Sequence, residues 1–206
     1  MKAKKKRPLR IAVMISGSGT NLQAIIDATE AGHINGRVVA VISNRKKAYG
    51  LERAEKHGID CVYFPLKPYK DAGKSRETYD AELADAIALY QPDLIVLAGW
   101  MHILSPAFLE RFAERVINLH PALPGEFIGT NSIERAYEAS RQRKIRRSGV
   151  MVHYAIPEVD AGEVIIQAKV PILKSDTLET FANRMHKTEH RVLVQAVALL
   201  AEKLTE

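Results

Sequence analysis

Residues 116–121 read Val-Ile-Asn-Leu-His-Pro, and the rest of the chain can be interpreted outward from this stretch. Its apolar residues alternate with Asn118 and His120, which is typical of a buried strand that projects both polar side chains from one face. Pro121 cannot donate a hydrogen bond to a sheet, so the strand is predicted to end there, with His120 at the rim. Open α/β sheets bind ligands beyond the carboxyl ends of their strands, so a ligand site is predicted at this rim.

A carboxylate follows further along the chain, at Asp160, in a turn-like segment between Pro157 and Gly162. Amide, imidazole and carboxylate together suit a reaction in which a carbonyl passes through a tetrahedral oxyanion. The amide and an imidazolium would stabilise the oxygen, and the carboxylate would orient the imidazole and take up protons. The alternative interpretation is that Asn118 and His120 are partnered polar groups of a strand and that Asp160 is a turn residue.

Short apolar runs alternate along the chain with segments that repeat apolar residues at helical spacing. Strands are predicted at Leu9–Ser16, Arg37–Ser43, Cys61–Pro65 and Leu94–Leu97, besides the one that ends at His120. Helices are predicted after Gly19 and at Leu51–His57, Arg76–Tyr90 and Ser132–Ser140, whereas Lys67–Lys74 is predicted to be a loop. This alternation favours an α/β fold with a doubly wound, mostly parallel sheet.

The remaining C-terminal part has a different pattern. Two further strands, Ser148–Tyr154 and Glu163–Val170, enclose the Asp160 turn and are predicted to form a hairpin. Leu178–Leu204 then repeats apolar residues at helical spacing and is predicted to be one long amphipathic helix.

Between the first strand and the first helix lies a glycine-rich turn, Gly17-Ser18-Gly19-Thr20-Asn21. Glycines allow the backbone to approach an anion closely, and the N–H groups at a helix start point outward, so this turn is a candidate phosphate site. Thr20 or Asn21 is the predicted N-cap. The turn lacks the Gly-Lys-Ser/Thr ending of a P-loop and the glycine spacing of a dinucleotide site. A strand-to-helix turn that binds no ligand is the alternative.

Charge and composition exclude several classes of protein. The 206 residues include 30 Lys and Arg, and six of these lie in the first ten positions, so the remaining 24 balance the 24 acidic residues. Residues 1–8 are therefore predicted to be a basic flexible tail and residues 9–206 a single domain, with no specific nucleic-acid partner. The lone Cys61 permits no internal disulfide, which favours a cytoplasmic location. The sequence contains neither an apolar run of about 20 residues, as a membrane span requires, nor a Cys/His cluster with metal-ligand spacing.

Three motifs resemble the signature of the folate-dependent formyltransferases: Asn118–Pro124 with Gly129, Gly149–His153, and Asp160–Gly162 with Gln167. The resemblance extends from Ile11 to about Leu200, and the glycine turn resembles that of the branch that acts on 5′-phosphoribosylglycinamide (GAR). It implies a Rossmann-like formyltransferase fold, with a phosphate-binding half at about 9–110 and a catalytic and folate-binding half at about 111–206. It also implies a metal-free transfer of formyl from 10-formyltetrahydrofolate, a co-substrate, to the amine of GAR in de novo purine biosynthesis.

The same resemblance implies roles for individual residues. Asn118 and His120 would stabilise the tetrahedral intermediate, His120 being kept cationic by Asp160, which would also assist proton transfer. The residues implied to bind GAR are Gly19, Thr20, Asn21, Gly99, Pro121 and Glu189, with His186 near the phosphate. Those implied to bind folate are Leu97, Met101, His102, Ile103, Leu104, Val159 and Ala161. His153 is predicted either to lie near the cleft or to be structural.

The sequence departs from the family pattern at several positions. His102 stands where the family has an arginine that contacts the glutamate end of folate, and a histidine is shorter and only partly charged near neutral pH. Asn131 stands where a histidine is frequent, so no catalytic role is implied there. The cationic segment Arg141–Arg147 is interpreted as a solvated local insertion.

Two other functions stay open. Formyltetrahydrofolate hydrolase uses water as the acceptor, but it normally carries an N-terminal regulatory domain for which we expect no room here. A non-catalytic phosphate- or nucleotide-binding module could use the same sheet. In each case the expected partners are small molecules and no membrane, and the expected state is a monomer or homodimer.

Overall fold

The computed structural model describes residues 7–205, and the strands in this range form a seven-stranded sheet. The strands are β1 (Leu9–Ile15), β2 (Gly36–Ser43), β3 (Cys61–Tyr63), β4 (Leu94–Leu97), β5 (Val116–His120), β6 (Arg147–Tyr154) and β7 (Val164–Pro171). Their spatial order is β3-β2-β1-β4-β5-β6-β7. Neighbours from β3 to β5 pair in parallel, and β6 pairs with β5 and β7 in antiparallel fashion. The predicted doubly wound, mostly parallel α/β sheet with a C-terminal hairpin is therefore confirmed.

Helices cover both faces of this sheet. They are α1 (Thr20–Glu30), α2 (Tyr49–Lys56), α3 (Lys67–Asp71), α4 (Arg76–Ala88), α5 (Pro106–Leu109), α6 (Ser132–Arg141) and α7 (Leu178–Leu204), with a 3₁₀ turn at Glu110–Phe112. Side chains of β1 alternate between two apolar cores: Val13 packs in the core under α1 and α7, and Met14 packs in the core under α4 and α5. Burial on both faces explains why β1 reads as a continuous apolar run.

Side-chain caps fix the starts of two helices. The Ser75 hydroxyl accepts from the backbone N–H of Thr78 at the start of α4. Thr177 and Thr180 form a reciprocal capping box at the start of α7. Such caps satisfy N–H groups that have no partner inside the helix, and they fix where each helix begins.

Three local predictions were wrong. Lys67–Lys74 is not wholly a loop, because Pro68 lies in the first turn of the short helix α3, where a missing N–H costs nothing. The helix predicted at Arg76–Tyr90 is shorter, because α4 ends at Ala88 and the apolar Leu89 that follows it is 83% exposed. The N-cap of α1 is Gly19 in a left-handed conformation (φ 70°), and no side chain caps this helix.

From β1 the chain adds β2 and β3 on one side of the sheet and then β4 and β5 on the other side. The loops after β1 and β4 therefore meet at a topological switch point, which is where such sheets bind ligands. The Ser16 hydroxyl after β1 accepts from the Met101 N–H after β4 at 3.0 Å, which fixes the two loops to each other. Of the predicted basic tail, residues 1–6 lie outside the described residues, whereas Arg7 forms an ion pair with Asp93 at 2.6 Å. Within residues 7–205, no helix is long and apolar enough to cross a membrane.

Candidate active site

The structure brings Asn118, His120 and Asp160 into contact at the carboxyl end of β5. The Asp160 Oδ2 atom lies 3.3 Å from the His120 Nδ1 atom, and its Oδ1 atom accepts from the Asn118 amide at 3.3 Å. The His120 and Asp160 side chains are 4% and 7% exposed. The three side chains singled out in the sequence therefore form one nearly dehydrated cluster.

Backbone geometry places Asp160 in this cluster. The residue adopts a left-handed conformation (φ 54°) in the turn between β6 and β7. A Cβ atom at Gly162 would lie 1.8 Å from the Tyr154 carbonyl oxygen, so only glycine lets the turn lie this close to β6. The Gly129 N–H donates to the Asp160 Oδ2 atom at 2.9 Å. This backbone donor was not predicted from the sequence.

His153 belongs to the same cluster. Its Nδ1 atom lies 2.8 Å from the Tyr154 carbonyl, which can only accept, so Nδ1 carries the hydrogen in a neutral imidazole. The Nε2 atom then accepts from the Asn118 amide nitrogen at 3.2 Å. One amide hydrogen of Asn118 thus points to His153 and the other to Asp160, and His153 sets the orientation of this amide.

Burial controls the charge of the cluster. It lowers the pKa of His120 below its ordinary value, and the Asp160 charge and backbone contacts with Glu126 and Phe127 offset this only in part. Desolvation therefore outweighs the attraction of the carboxylate in the free protein, whereas the cationic His120 predicted for the tetrahedral intermediate stays a prediction. Burial alone would raise the pKa of Asp160, but interactions with His153, the Gly129 amide and His120 together lower it. The resting pair near neutral pH is a neutral imidazole and a carboxylate.

A cavity of about 510 Å³ opens beside this cluster, and His120 lies in its wall. The His120 Nε2 atom is buried and has no hydrogen-bond partner within the described residues. A buried polar atom without a partner is costly, so this nitrogen is available to a ligand. Residues of the cavity wall that were also predicted to bind ligands are Leu97, Gly99, Met101, His102, Ile103, Leu104, Pro121 and Val159.

Two other residues of the predicted folate site, Ala161 and His102, do not supply apolar wall to this cavity. Ala161 is exposed and does not line the cavity. His102 does line it, and its Nε2 atom lies 2.9 Å from the Asn44 amide nitrogen. Burial and the nearby Arg76 charge lower the pKa of His102, so it is an uncharged wall residue near neutral pH. Thr130 and Asn131, before α6, also line the cavity: Thr130 was missed, because only the tertiary fold brings it here, and Asn131 had been given no catalytic role.

The loop that forms one wall of this large cavity is held by α4. Asp80 is fully buried, and its Oδ2 atom accepts from the Ser105 N–H at 2.8 Å. Its Oδ1 atom accepts from the Arg76 side chain at 3.0 Å, and Arg76 also donates to the Ile103 carbonyl. The spacing of Arg76 and Asp80 on one helix face was a sequence signal for this pair, although it did not indicate the contact with the loop.

A second, smaller cavity of about 310 Å³ lies at the glycine turn and shares Gly99 and Met101 with the large one. Its wall includes residues 16–21, Arg45, His186 and Glu189. The backbone N–H groups of residues 17–19 donate to no backbone carbonyl of residues 7–205. Such free amides at the start of a helix are suited to an anion.

Glu189 closes the small cavity from the side of α7. It is 6% exposed, and its Oε2 atom accepts from the Asn21 amide at 3.0 Å, which joins α7 to α1. Its Oε1 atom lies 3.4 Å from the His186 Nδ1 atom. The hydrogen bond with Glu189 raises the pKa of His186 against the opposing effect of burial, so His186 partly balances the charge of the Glu189 carboxylate beside the cavity. The predicted residues Gly19, Thr20, Asn21 and Glu189 all line this cavity.

Comparison with known proteins gives the family. A family model described as formyl transferase matches residues 9–197. Phosphoribosylglycinamide formyltransferase of Dictyostelium discoideum is 50% identical over 202 residues, which are 94% of this chain and 98% of that protein. The enzyme of the same name from Schizosaccharomyces pombe is 53% identical over 195 residues, 91% of this chain and 94% of its own.

A solved structure agrees with this result. Glycinamide ribonucleotide transformylase 1 from Symbiobacterium toebii superimposes with a TM-score of 0.88 and 41% identity, covering 95% of this chain and 89% of that one. The family predicted from the motifs is confirmed. The chain belongs to the formyl transferase family, in its phosphoribosylglycinamide formyltransferase branch.

Proposed function

We propose that this enzyme transfers the formyl group of 10-formyltetrahydrofolate to the amine of GAR, a step of de novo purine biosynthesis. One observation carries the proposal: a cavity that suits an anion and a larger apolar-walled cavity meet at Gly99 and Met101. The Asn118, His120 and Asp160 cluster adjoins the larger cavity. A substrate with a phosphate at one end and an amine at the other would span the two.

GAR would lie with its phosphate in the small cavity. The free amides of the glycine turn, with Thr20 and Asn21, would hold the phosphate at the start of α1, where the helix dipole favours negative charge. Glu189 would accept hydrogen bonds from the ribose hydroxyls, with its charge partly balanced by His186. Gly99 and Pro121 line the path from there to the large cavity, so the amine would reach the catalytic cluster.

10-Formyltetrahydrofolate would occupy the large cavity. Leu97, Met101, Ile103, Leu104 and Val159 supply the apolar wall against which a flat pteridine ring can pack. His102 supplies no full charge for the glutamate tail, and Ala161 would contribute through its backbone only. The formyl group would then lie beside the His120 Nε2 atom.

The reaction would begin with attack of the GAR amine on the formyl carbon. A C–N bond forms, and the carbonyl oxygen becomes an oxyanion. Oxyanion charge raises the pKa of the neighbouring imidazole, so His120 would take up a proton from water and become a cationic donor, with Asp160 3.3 Å from its other nitrogen. Asn118 holds its present partners at 3.2 and 3.3 Å, which are long contacts, so its amide can be redirected to the oxygen.

Collapse of the intermediate would break the bond between the formyl carbon and N10 of the folate. The amine loses one proton overall, and N10 gains one. Asp160 is the carboxylate of the cluster and would accept the amine proton, directly or through water, before it is passed to N10. His120 would release its proton to water when the oxyanion disappears, so its protonation is unchanged over the whole reaction.

The test is to mix the protein with GAR and a 10-formylfolate analogue and to follow the absorbance of the deformylated folate. GAR-dependent turnover supports the transferase. Turnover without GAR would instead identify a formyltetrahydrofolate hydrolase, and binding without turnover a phosphate- or nucleotide-binding module.

A further inference from the structure

Helix α2 contacts the glycine turn through two consecutive carbonyl groups. The Gly50 N–H donates to the Gly17 carbonyl at 3.1 Å, and the Arg53 Nε–H donates to the Ser18 carbonyl at 2.9 Å. The turn is therefore held from behind by a helix that has no residue in the small cavity.

These two bonds determine where the amides of the turn point. In a trans peptide unit the C=O and N–H groups point in opposite directions. The Gly17 carbonyl shares its peptide unit with the Ser18 N–H, and the Ser18 carbonyl shares its unit with the Gly19 N–H. Fixing these carbonyls toward α2 aims the two N–H groups at the small cavity, which Ser18 and Gly19 line.

Two further contacts hold the Arg53 side chain in position to donate to the Ser18 carbonyl. Its Nη1 atom donates to the Gln23 side chain at 3.2 Å, and its guanidinium lies 4.9 Å from the centre of the Tyr49 ring. A charged group that donates to a carbonyl also polarises the peptide unit, which makes the N–H of that unit a stronger hydrogen-bond donor. Arg53 does not line the cavity, so it acts through the turn and not on a ligand.

Close packing of two glycines makes the contact possible. A Cβ atom at Gly19 would lie 2.6 Å from the Gly50 Cα atom, and one at Gly50 would lie 2.3 Å from the Ile15 Cδ1 atom. A side chain at Gly19 would clash with the backbone of α2 and move the helix away from the turn, whereas one at Gly50 would displace the Ile15 side chain and lie 3.1 Å from the Gly19 Cα atom. The short distance from Gly50 to Gly17 therefore depends on both glycines.

We propose that Arg53 and Gly50 are positioning residues that aim the Ser18 and Gly19 amides at the phosphate of the substrate. The identity of that anion rests on the proposed function, whereas the orientation of the amides does not.

The first test compares Arg53→Gln with Lys56→Gln, which removes the same charge from the same helix. Lys56 places its ammonium over the Tyr49 ring. Loss of a charge-assisted bond predicts a rise of about tenfold in the KM for GAR with Arg53→Gln, while kcat and the folate KM stay unchanged. Arg53→Lys keeps the charge but not the forked donor, so an intermediate KM is expected. An equal rise with Lys56→Gln, or none with Arg53→Gln, would overturn the proposal.

The second test does not need turnover. Inorganic phosphate is titrated into the wild-type and Arg53→Gln proteins, and the amide NMR signals of Ser18 and Gly19 are followed. Both signals should shift saturably, with a Kd about tenfold higher in the variant. If these signals do not respond, or respond with the same Kd in both proteins, the positioning role is wrong. The Kd for phosphate could be higher in the variant while the wild type shows no GAR-dependent turnover. That combination would retain the positioning role and reject the proposed function.

Discussion

The two cavities are built from different parts of the chain. The large cavity takes its chemistry from side chains, the amide, imidazole and carboxylate at the end of β5 and in the Asp160 turn. The small cavity is instead lined by the glycine turn, whose backbone N–H groups suit an anion, and it is closed by Glu189. We infer a division of labour, in which the large cavity performs the transfer and the small one holds the substrate.

The largest expected effect lies in the large cavity. Asp160→Asn keeps the size of the side chain but removes the charge that stabilises an imidazolium and accepts a proton. We expect kcat to fall on the order of 10²–10³-fold, the size of effect seen for loss of one oxyanion donor, with the KM for GAR unchanged. Steady-state kinetics with both substrates measure this, and Glu158→Gln, an exposed carboxylate in the same turn, is the control. A near-normal kcat would show that the cluster is not catalytic.

The next effect belongs to the small cavity. Glu189→Gln removes a buried charge that accepts from Asn21 and faces the predicted ribose site. We expect the KM for GAR to rise about tenfold, while kcat and the folate KM change little. Glu179→Gln, at an exposed position in the first turn of α7, is the matched control. A fall in kcat without a change in the KM for GAR would contradict the assignment of substrate binding to the small cavity and transfer to the large one.

A smaller effect is expected where α4 supports the large cavity. Asp80→Asn can still accept from the Ser105 N–H but loses the ion pair with Arg76, which loosens the wall of the cavity. We expect the folate KM to rise several-fold and the KM for GAR to stay constant, with a lower Tm because a buried ion pair is broken. Equal effects on the two KM values would indicate a general loss of structure.

The smallest expected effect is on stability as a function of pH. The pKa of His120 is lower in the folded protein than in the unfolded chain, where it is about 6.5. The unfolded chain therefore binds the proton first, so stability is full above about pH 6.5 and is lost as the pH falls through the folded pKa. Burial also lowers the pKa values of His102 and His190, so these residues act in the same direction.

Urea unfolding at pH 7 and pH 5 measures this effect. Wild-type protein should lose free energy of unfolding between the two values, and His120→Gln should lose less of it. His33→Gln, which replaces an exposed imidazole, is the control. If His120→Gln loses as much free energy of unfolding between pH 7 and pH 5 as the wild type, the burial of a neutral imidazole at position 120 is contradicted.

Most of the fold could be predicted from the sequence, because buried strands and long amphipathic helices follow directly from apolar spacing. The prediction failed where a single local feature decided the outcome. Pro68 starts a helix where it suggested a loop, and Gly19 supplies a left-handed N-cap where a polar side chain was expected. Leu89 lies only two residues after Ile87, off the buried face, and just beyond the end of α4.

The site was predicted in part. The motif residues Asn118, His120 and Asp160 do meet, because the turn that carries Asp160 packs closely against β6, the strand that pairs with β5. Backbone donors carry no signal in residue identity, so the Gly129 amide that contacts Asp160 was missed. The lowered pKa of His120 in the free protein was not foreseen, because desolvation depends on burial, which a list of residues does not show.

A crystal structure of Asp160→Asn with GAR and a 10-formylfolate analogue tests the central claim most directly. We expect phosphate oxygens about 3 Å from the Ser18 and Gly19 amides, and the formyl oxygen at similar distance from the His120 Nε2 atom. The GAR amine should then lie against the formyl carbon. A phosphate bound away from the glycine turn, or a formyl group beyond reach of His120, would contradict the assignment of the two cavities.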